Sequence, residues 1–236
     1  MSTILIIVCF LAIGDAFTPC HTSFHVRSKT STRLFLAEKT TSNDPYLAQK
    51  LVFRGMDAFR NGQVDLSIQL FDQAEALKPS LTPYLWQRGL SYYYADRFAE
   101  ASQQFRTDVQ VNPLDVEEIV WDIGSQMRLR PNEPPNAMAL PPGKRDRRKI
   151  MAKVYSLFRG EGTEHDLALA GHQSERLSDD FYALFYLGLY CEARGEITKA
   201  SEYMKQAVRT EYATSFGEKD YMTAVARVHC QLRGWV

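Results

Sequence analysis

One stretch constrains the fold more than any other: between Leu51 and Pro113 the chain repeats itself at a spacing of 34 residues. Leu51 returns as Leu85, Arg54 as Arg88, Gly55 as Gly89, Phe71 as Phe105 and Pro79 as Pro113. Phe59 returns as Tyr93, and the small Ser67 as the small Ala101. Self-similarity at that period is the mark of an array in which each short unit buries its apolar face against the next. Asn61-Gly62 and Asp96-Arg97 place a turn in the middle of each copy, so each copy reads as two helices.

The order of residue types, apolar, Gly, a small residue twelve positions on, an aromatic four beyond it and a closing Pro, resembles the tetratricopeptide repeat (TPR). The resemblance implies an all-α fold, a right-handed superhelix of antiparallel helix pairs that binds other proteins. It also implies that Gly55 and Gly89 let paired helices approach, that Ser67 and Ala101 sit in that contact, and that Phe71 and Phe105 fill the space between repeats. Gly188, Gly195, Ala200, Met204 and Ala207 give a third, weaker copy with no closing Pro. The repeats fall at about 48–81, 82–115 and 181–214 within a single domain over 45–235. Asp108 stands where the family has Ala and the first copy has Ala74. A buried unpaired carboxylate is costly, so Asp108 either pairs with Arg54 or Arg88 or tilts into solvent.

The spacing predicts helices from Asp44-Pro45 to about Arg60, over Val64–Leu77, from a Thr82-Pro83 cap, and from the Asp96-Arg97 turn to Asn112-Pro113. Asp115 and Glu118 form a capping-box pattern that opens a fifth helix through Trp121, an inward residue, to about Leu129. Residues 130–143 carry five prolines in fourteen positions and form a surface loop rather than a helix. Lys144, Arg145, Arg147, Arg148 and Lys149 follow as a basic cluster at the start of a helix over about 146–158. Thr163 and Asp166 box a short helix to Ala170, and Ser178 caps an apolar helix over 181–194. The last helix, 218–232, has Tyr221, Ala224, Val225, Val228 and Leu232 on one face and is expected to cap the open end of the stack. The order of parts is similar to the layout of NlpI-type bacterial lipoprotein adaptors, which adds the expectation of an adaptor presenting substrates to a protease or hydrolase.

The N-terminal segment reads as an address. Ile4 to Ile13 is an apolar run of signal-peptide length, too short to span a bilayer as a helix. From Phe17 to Ala37 there is no acid, while Ser, Thr and basic residues are frequent. The junction Asp15-Ala16-Phe17-Thr18-Pro19 resembles the motif of bipartite presequences in algae with complex plastids. Residues 1–37 are expected to be removed and 38–44 to form a linker. The expected destination is the plastid, in the stroma or on the stromal face of the thylakoid because no lumenal signal follows Ala37; a plain secretory signal is the alternative.

Catalysis finds little support. His165, His172 and His229 stand in no metal-ligand spacing, and no nucleophile elbow, paired-His or Gly-rich nucleotide motif occurs. Neither a metal, a cofactor nor a small-molecule substrate is expected, nor a membrane span in the mature chain. Cys191 occupies an inward repeat position, and whether it meets Cys230 is open. The formal charge of zero argues against a general nucleic-acid binder, although the cluster at 144–149 keeps an RNA-associated role as an alternative. The family resemblance assigns the binding groove to Gln49, Val52, Phe53, Met56, Phe59 and Arg60 on the first repeat, and to Pro83, Trp86, Gln87, Leu90, Tyr93 and Tyr94 on the second. The set of Lys, Arg and Asn that clamps a terminal carboxylate in chaperone-binding members is missing. Trp86, Tyr93 and Tyr94 instead form an aromatic face suited to a protein or peptide segment, unless the irregular helices or the loop at 130–143 cover it. The expectation is a non-catalytic adaptor or assembly factor, with photosynthetic complexes as its specific class.

Overall fold

The computed structural model describes residues 46–235, and the expected leader, linker and Pro45 lie outside them. The described residues form ten α-helices and no strand: α1 Leu47–Arg60, α2 Val64–Leu77, α3 Trp86–Tyr94, α4 Phe98–Val109, α5 Val116–Leu129, α6 Lys149–Phe158, α7 Glu164–His172, α8 Leu177–Ala193, α9 Ile197–Ala207 and α10 Tyr221–Arg233.

Three helical hairpins, α1–α2, α3–α4 and α8–α9, share one packing device. A Gly on the first helix lets a large side chain sixteen positions later lie against bare backbone. A Cβ on Gly55 would come within 2.9 Å of the Phe71 ring, on Gly89 within 2.7 Å of the Phe105 ring, and on Gly188 within 3.0 Å of Met204. Phe105 also stacks on Trp121 of α5, with centroids 6.2 Å apart, so it joins one hairpin to the next. Ser67 and Ser91 share a buried hydrogen bond of 2.7 Å between the first two hairpins. The mid-hairpin turns need a left-handed residue, supplied by Gly62 (φ 72°) and Gly195 (φ 77°). At the position equivalent to Gly62 the second repeat has Asp96 (φ 56°), the one non-glycine with positive φ among the described residues.

Several expected helix starts move. Thr82-Pro83 does not cap α3. Pro79–Tyr84 is a 3-10 turn, Thr82 Oγ1 donates to Glu75 at 2.6 Å, and α3 begins only at Trp86. Ser178 lies inside α8, whose first residue is Leu177. α6 starts at Lys149 rather than Asp146, because Asp146 is held by Arg148. Asp115 caps α5 through the Glu117 and Glu118 N–H groups, but Glu118 Oε2 is buried without a partner, so the reciprocal half of that box is absent. Thr163 caps α7 as expected, accepting from Asp166 N at 3.1 Å. The loop at 130–143 is non-helical and pinned: Arg106 donates to Asn136 O, Arg159 to Met138 O at 3.0 Å, and Leu140 N to the Tyr155 hydroxyl at 3.0 Å.

The largest departure concerns α10. The expected amphipathic end cap is instead a core helix, with Thr223, Val225, Ala226, Val228 and His229 all buried and Leu232, assigned to the inward face, 38 % exposed. A π-helical turn, Tyr212–Phe216, and a 3-10 turn, Gly217–Lys219, carry the chain back from α9. Asp220 then fixes the entry to α10. One carboxylate oxygen caps Met222 N at 2.9 Å, while the other accepts from the Tyr182 and Tyr212 hydroxyls at 2.9 and 2.8 Å.

Candidate functional site

The face that the sequence assigned to a binding groove is lined by α1 and α3, and α10 lies across much of it. Tyr221 packs edge-on against Trp86 at 5.5 Å and stacks on Phe59 at 6.0 Å, and the Arg60 guanidinium sits 4.8 Å over its ring. Further along α10, His229 meets Tyr94, both edge-to-face at 5.4 Å and through a 2.9 Å hydrogen bond between the Tyr94 hydroxyl and Nδ1. Leu90 and Tyr93 have no exposure, and Tyr94 has 5 %. These three are therefore core residues: α10 covers Tyr94 through His229, while Tyr93 is covered by Trp121 of α5 and Glu192 of α8. Phe59 is likewise fully buried.

A buried ionic centre holds α10 in place. Glu192 of α8 accepts from Arg233 Nε at 2.6 Å and Tyr93 Oη at 3.2 Å and pairs with Arg128 Nη1 at 3.0 Å. Asp96 lies 3.6 Å from both guanidiniums. Burial opposes the charge on Glu192, but His229 and the two arginines outweigh burial and keep its carboxyl below the usual range. His229 is itself held neutral, burial pushing its pKa down to about 4. The guanidiniums thus carry the compensation. Glu192 Oε1 stands 3.8 Å from His229 Nε2, beyond hydrogen-bond reach, and that nitrogen has no partner. Trp235 covers the imidazole at 5.0 Å. Four helices, α3, α5, α8 and α10, meet on this one carboxylate.

What stays open is the mouth of the groove. Phe53 is 51 % exposed, Arg60 is exposed, and Met56 and Trp86 are half-buried. Between them Gln87 is 8 % exposed; its Nε2 leans on Met56 Sδ at 3.8 Å, and its Oε1 has no partner. The Tyr221 hydroxyl is also buried and unpartnered. The structure therefore brings Met56 to Gln87 and joins Arg60 to Trp86 through Tyr221, with Phe53 exposed one turn before Met56 on α1, while Leu90, Tyr93 and Tyr94 are buried. The scaffold residues Gly55, Phe71, Gly89, Ala101, Phe105, Gly188 and Ala200 are all buried, whereas Pro79 and Pro113 are exposed at the turns between units. The sequence signal for α10 is that it is apolar or small nearly all round: Met222, Thr223 and Ala226 lie outside the single stripe, the pattern of a buried helix.

Two further polar clusters lie away from this face among the described residues. Glu164, Cys191 and Glu196 bring three ligand-type atoms within 4.8 Å of one another. The Lys199 ammonium, 2.9 Å from Glu164 and 2.6 Å from Glu196, already fills the cation position. Burial pushes the Cys191 thiol up to about 12, so it is not a ready thiolate. Cys191 and Cys230 are both free and buried. Asp108 follows neither expected course. It is fully buried, and Gln104 stands between it and Arg88, donating to Asp108 Oδ1 at 2.8 Å while accepting from Arg88 at 2.9 and 2.7 Å. Arg88 itself is spent on Glu75 and Asp72. Asp108 Oδ2 has no partner, and burial raises its pKa to about 7. Among the described residues no helix is long and apolar enough to cross a membrane.

A scan against protein-family models matches none of them, and a search of curated proteins returns no match.

Proposed function

We propose that this chain is a non-catalytic TPR-type adaptor or assembly factor that holds a segment of a partner protein at the groove mouth. The repeat reading is supported by three hairpins with one Gly-to-side-chain register. The observation that carries the binding role is the mouth itself. Phe53 is exposed and Met56 and Trp86 are half-buried, with the Met56 sulfur 3.8 Å from the Gln87 amide nitrogen. Aromatic side chains left partly open are the usual anchors of protein interfaces.

The working place of this adaptor is the plastid, supported by the acid-free, Ser/Thr-rich composition of 17–37 behind an apolar run. Photosynthetic complexes are its best specific class of client. The test is affinity capture from isolated plastids with the wild type and with Phe53→Ala/Trp86→Ala, leaving the buried Tyr93 and Tyr94 intact. Photosystem subunits recovered by the wild type and lost by the variant support the reading. Equal recovery by both removes the mouth from it. Fusing residues 1–37 to a fluorescent protein, with and without Phe17→Ala, tests the destination.

A further inference from the structure

We propose that Arg145, Arg147 and Lys149, with Lys144 beside them, form a second docking surface, for a short acidic peptide segment. From Arg145 to Ile150 exposure alternates residue by residue. Arg145, Arg147 and Lys149 are exposed, Asp146 and Arg148 are half-buried, and Ile150 is buried. The inner row fixes the stretch. Arg148 donates from its backbone N to Asp146 at 2.7 Å, grips the same carboxylate with Nη2 at 2.8 Å, and reaches Glu117 of α5 with Nη1 at 2.8 Å. Ile150 and Met151 anchor the start of α6 in the core. The backbone before the strip is tied down as well, by Arg159 on Met138 O and by Leu140 N on Tyr155.

The outer row has no counterion. Most arginines of the described chain face a carboxylate, but Lys144, Arg145, Arg147 and Lys149 form no ion pair or side-chain hydrogen bond among the described residues. Outside 144–149, residues 46–235 hold 19 basic and 24 acidic side chains, and Asp108, Glu118, Asp122 and Glu192 among the acids are buried, so the strip is a concentration of positive charge on a nearly balanced surface. Holding like charges side by side is unfavourable and returns nothing within the chain.

The charge selects the occupant. Four cations within six residues, Lys144, Arg145 and Arg147 ahead of α6 and Lys149 as its first residue, call for a short segment that carries several carboxylates. A single-stranded nucleic acid would need aromatic faces to stack its bases, and none stands among these cations. Of the rings near by, Tyr155 has its hydroxyl bound to Leu140 N and its face to Arg159 at 5.5 Å, and Tyr186 is buried with its hydroxyl on Glu117 at 2.9 Å. This surface is independent of the groove mouth.

The test is fluorescence anisotropy of the full-length chain with a labelled alternating Glu-Ser decapeptide at low ionic strength. The wild type is expected to bind, with an affinity that falls as salt rises. Arg145→Gln/Arg147→Gln/Lys149→Gln is expected to lose at least about tenfold, three exposed charge contacts being removed. A control that removes as much charge elsewhere, Arg54→Gln/Arg209→Gln/Arg227→Gln, is expected to bind like the wild type, as is Phe53→Ala/Trp86→Ala. No binding by the wild type overturns the proposal, as does equal loss in the strip variant and the charge control. Tighter binding of an oligo-uridylate of matched charge, or of phosphatidylserine vesicles, also overturns it by assigning the strip to another class of partner.

Discussion

The hydroxyl of Tyr94, at the end of α3, and Nδ1 of His229, on α10, share a 2.9 Å hydrogen bond across 135 residues of sequence, and neither side chain is open to solvent. This pair fixes which part of the repeat face is core and which part is surface. Tyr94 is closed off by α10, and the end bearing Phe53, Met56 and Trp86 stays exposed or half-buried.

Tyr94→Phe keeps the ring and its packing but leaves the buried imidazole nitrogen without a partner. Destabilisation of about 1–3 kcal/mol is expected, read as a lower midpoint in urea with an unchanged slope. A variant as stable as the wild type would show that the hydrogen bond is not part of what holds α10.

His229 makes stability depend on pH. Its folded pKa of about 4 lies below the ordinary value of 6.5, so the unfolded chain takes up a proton that the folded chain refuses. The stability it protects is complete above about pH 6.5 and is lost as pH falls toward 4. Arg128 and Arg233 reinforce this by opposing a charged imidazole, while Glu192 partly favours it. Thermal melts of the wild type from pH 7.5 to 4.5 are expected to fall more steeply than those of His229→Gln; parallel curves would exclude His229 as the group responsible.

Glu118 acts in the opposite direction. Burial, with Asp115, Asp108 and Glu117 nearby, raises its pKa to about 9. The folded chain therefore keeps a proton that the unfolded chain releases, and the contribution fades as pH rises from about 4.5 to 9. Glu118→Gln, which mimics the protonated acid, is expected to match the wild type near pH 5 and to exceed it above pH 8. A variant weaker than the wild type at pH 8 would mean that the ionised carboxylate has a partner.

Gly89→Ala places a methyl carbon 2.7 Å from Cζ of Phe105, a ring that is 1 % exposed and stacked on Trp121. With no room for the ring to retreat, overpacking of about 1–3 kcal/mol is expected. Asp96→Gly should do the reverse. It relieves a left-handed residue that costs about 1–2 kcal/mol and gives up one exposed carboxylate 3.6 Å from two largely buried guanidiniums that keep Glu192 as their partner. Urea titrations that rank Asp96→Gly above the wild type and Gly89→Ala below it would bear out both assignments.

The sequence showed most clearly what neighbours decide. Val64–Leu77 and the end of α5 at Leu129 stand where helical spacing and turn residues put them, and the close approaches at Gly55, Gly89 and Gly188 follow from the repeat. What escaped it depends on distant contacts. Thr82 has the chemistry of a cap, but Glu75 claims its hydroxyl. Asp108 looked like a residue needing Arg88, yet Gln104 is interposed and Arg88 is held by Glu75 and Asp72. The destination of α10 is set by Glu192, Tyr94 and Trp86, none of which shares a local pattern with it.

The course of α10 also bears on how the chain folds. A stack of helical hairpins forms from contacts close in sequence, and such arrays assemble fast and can fray from their ends. Here Tyr221 packs on Phe59 of the first helix, and Arg233 closes onto Glu192 beside Tyr93. The last helix thereby ties the beginning of the array to its middle and end. A linear series of modules becomes a closed circuit, whose completion waits for its slowest, longest-range contact and whose loss at any one point is felt by the whole.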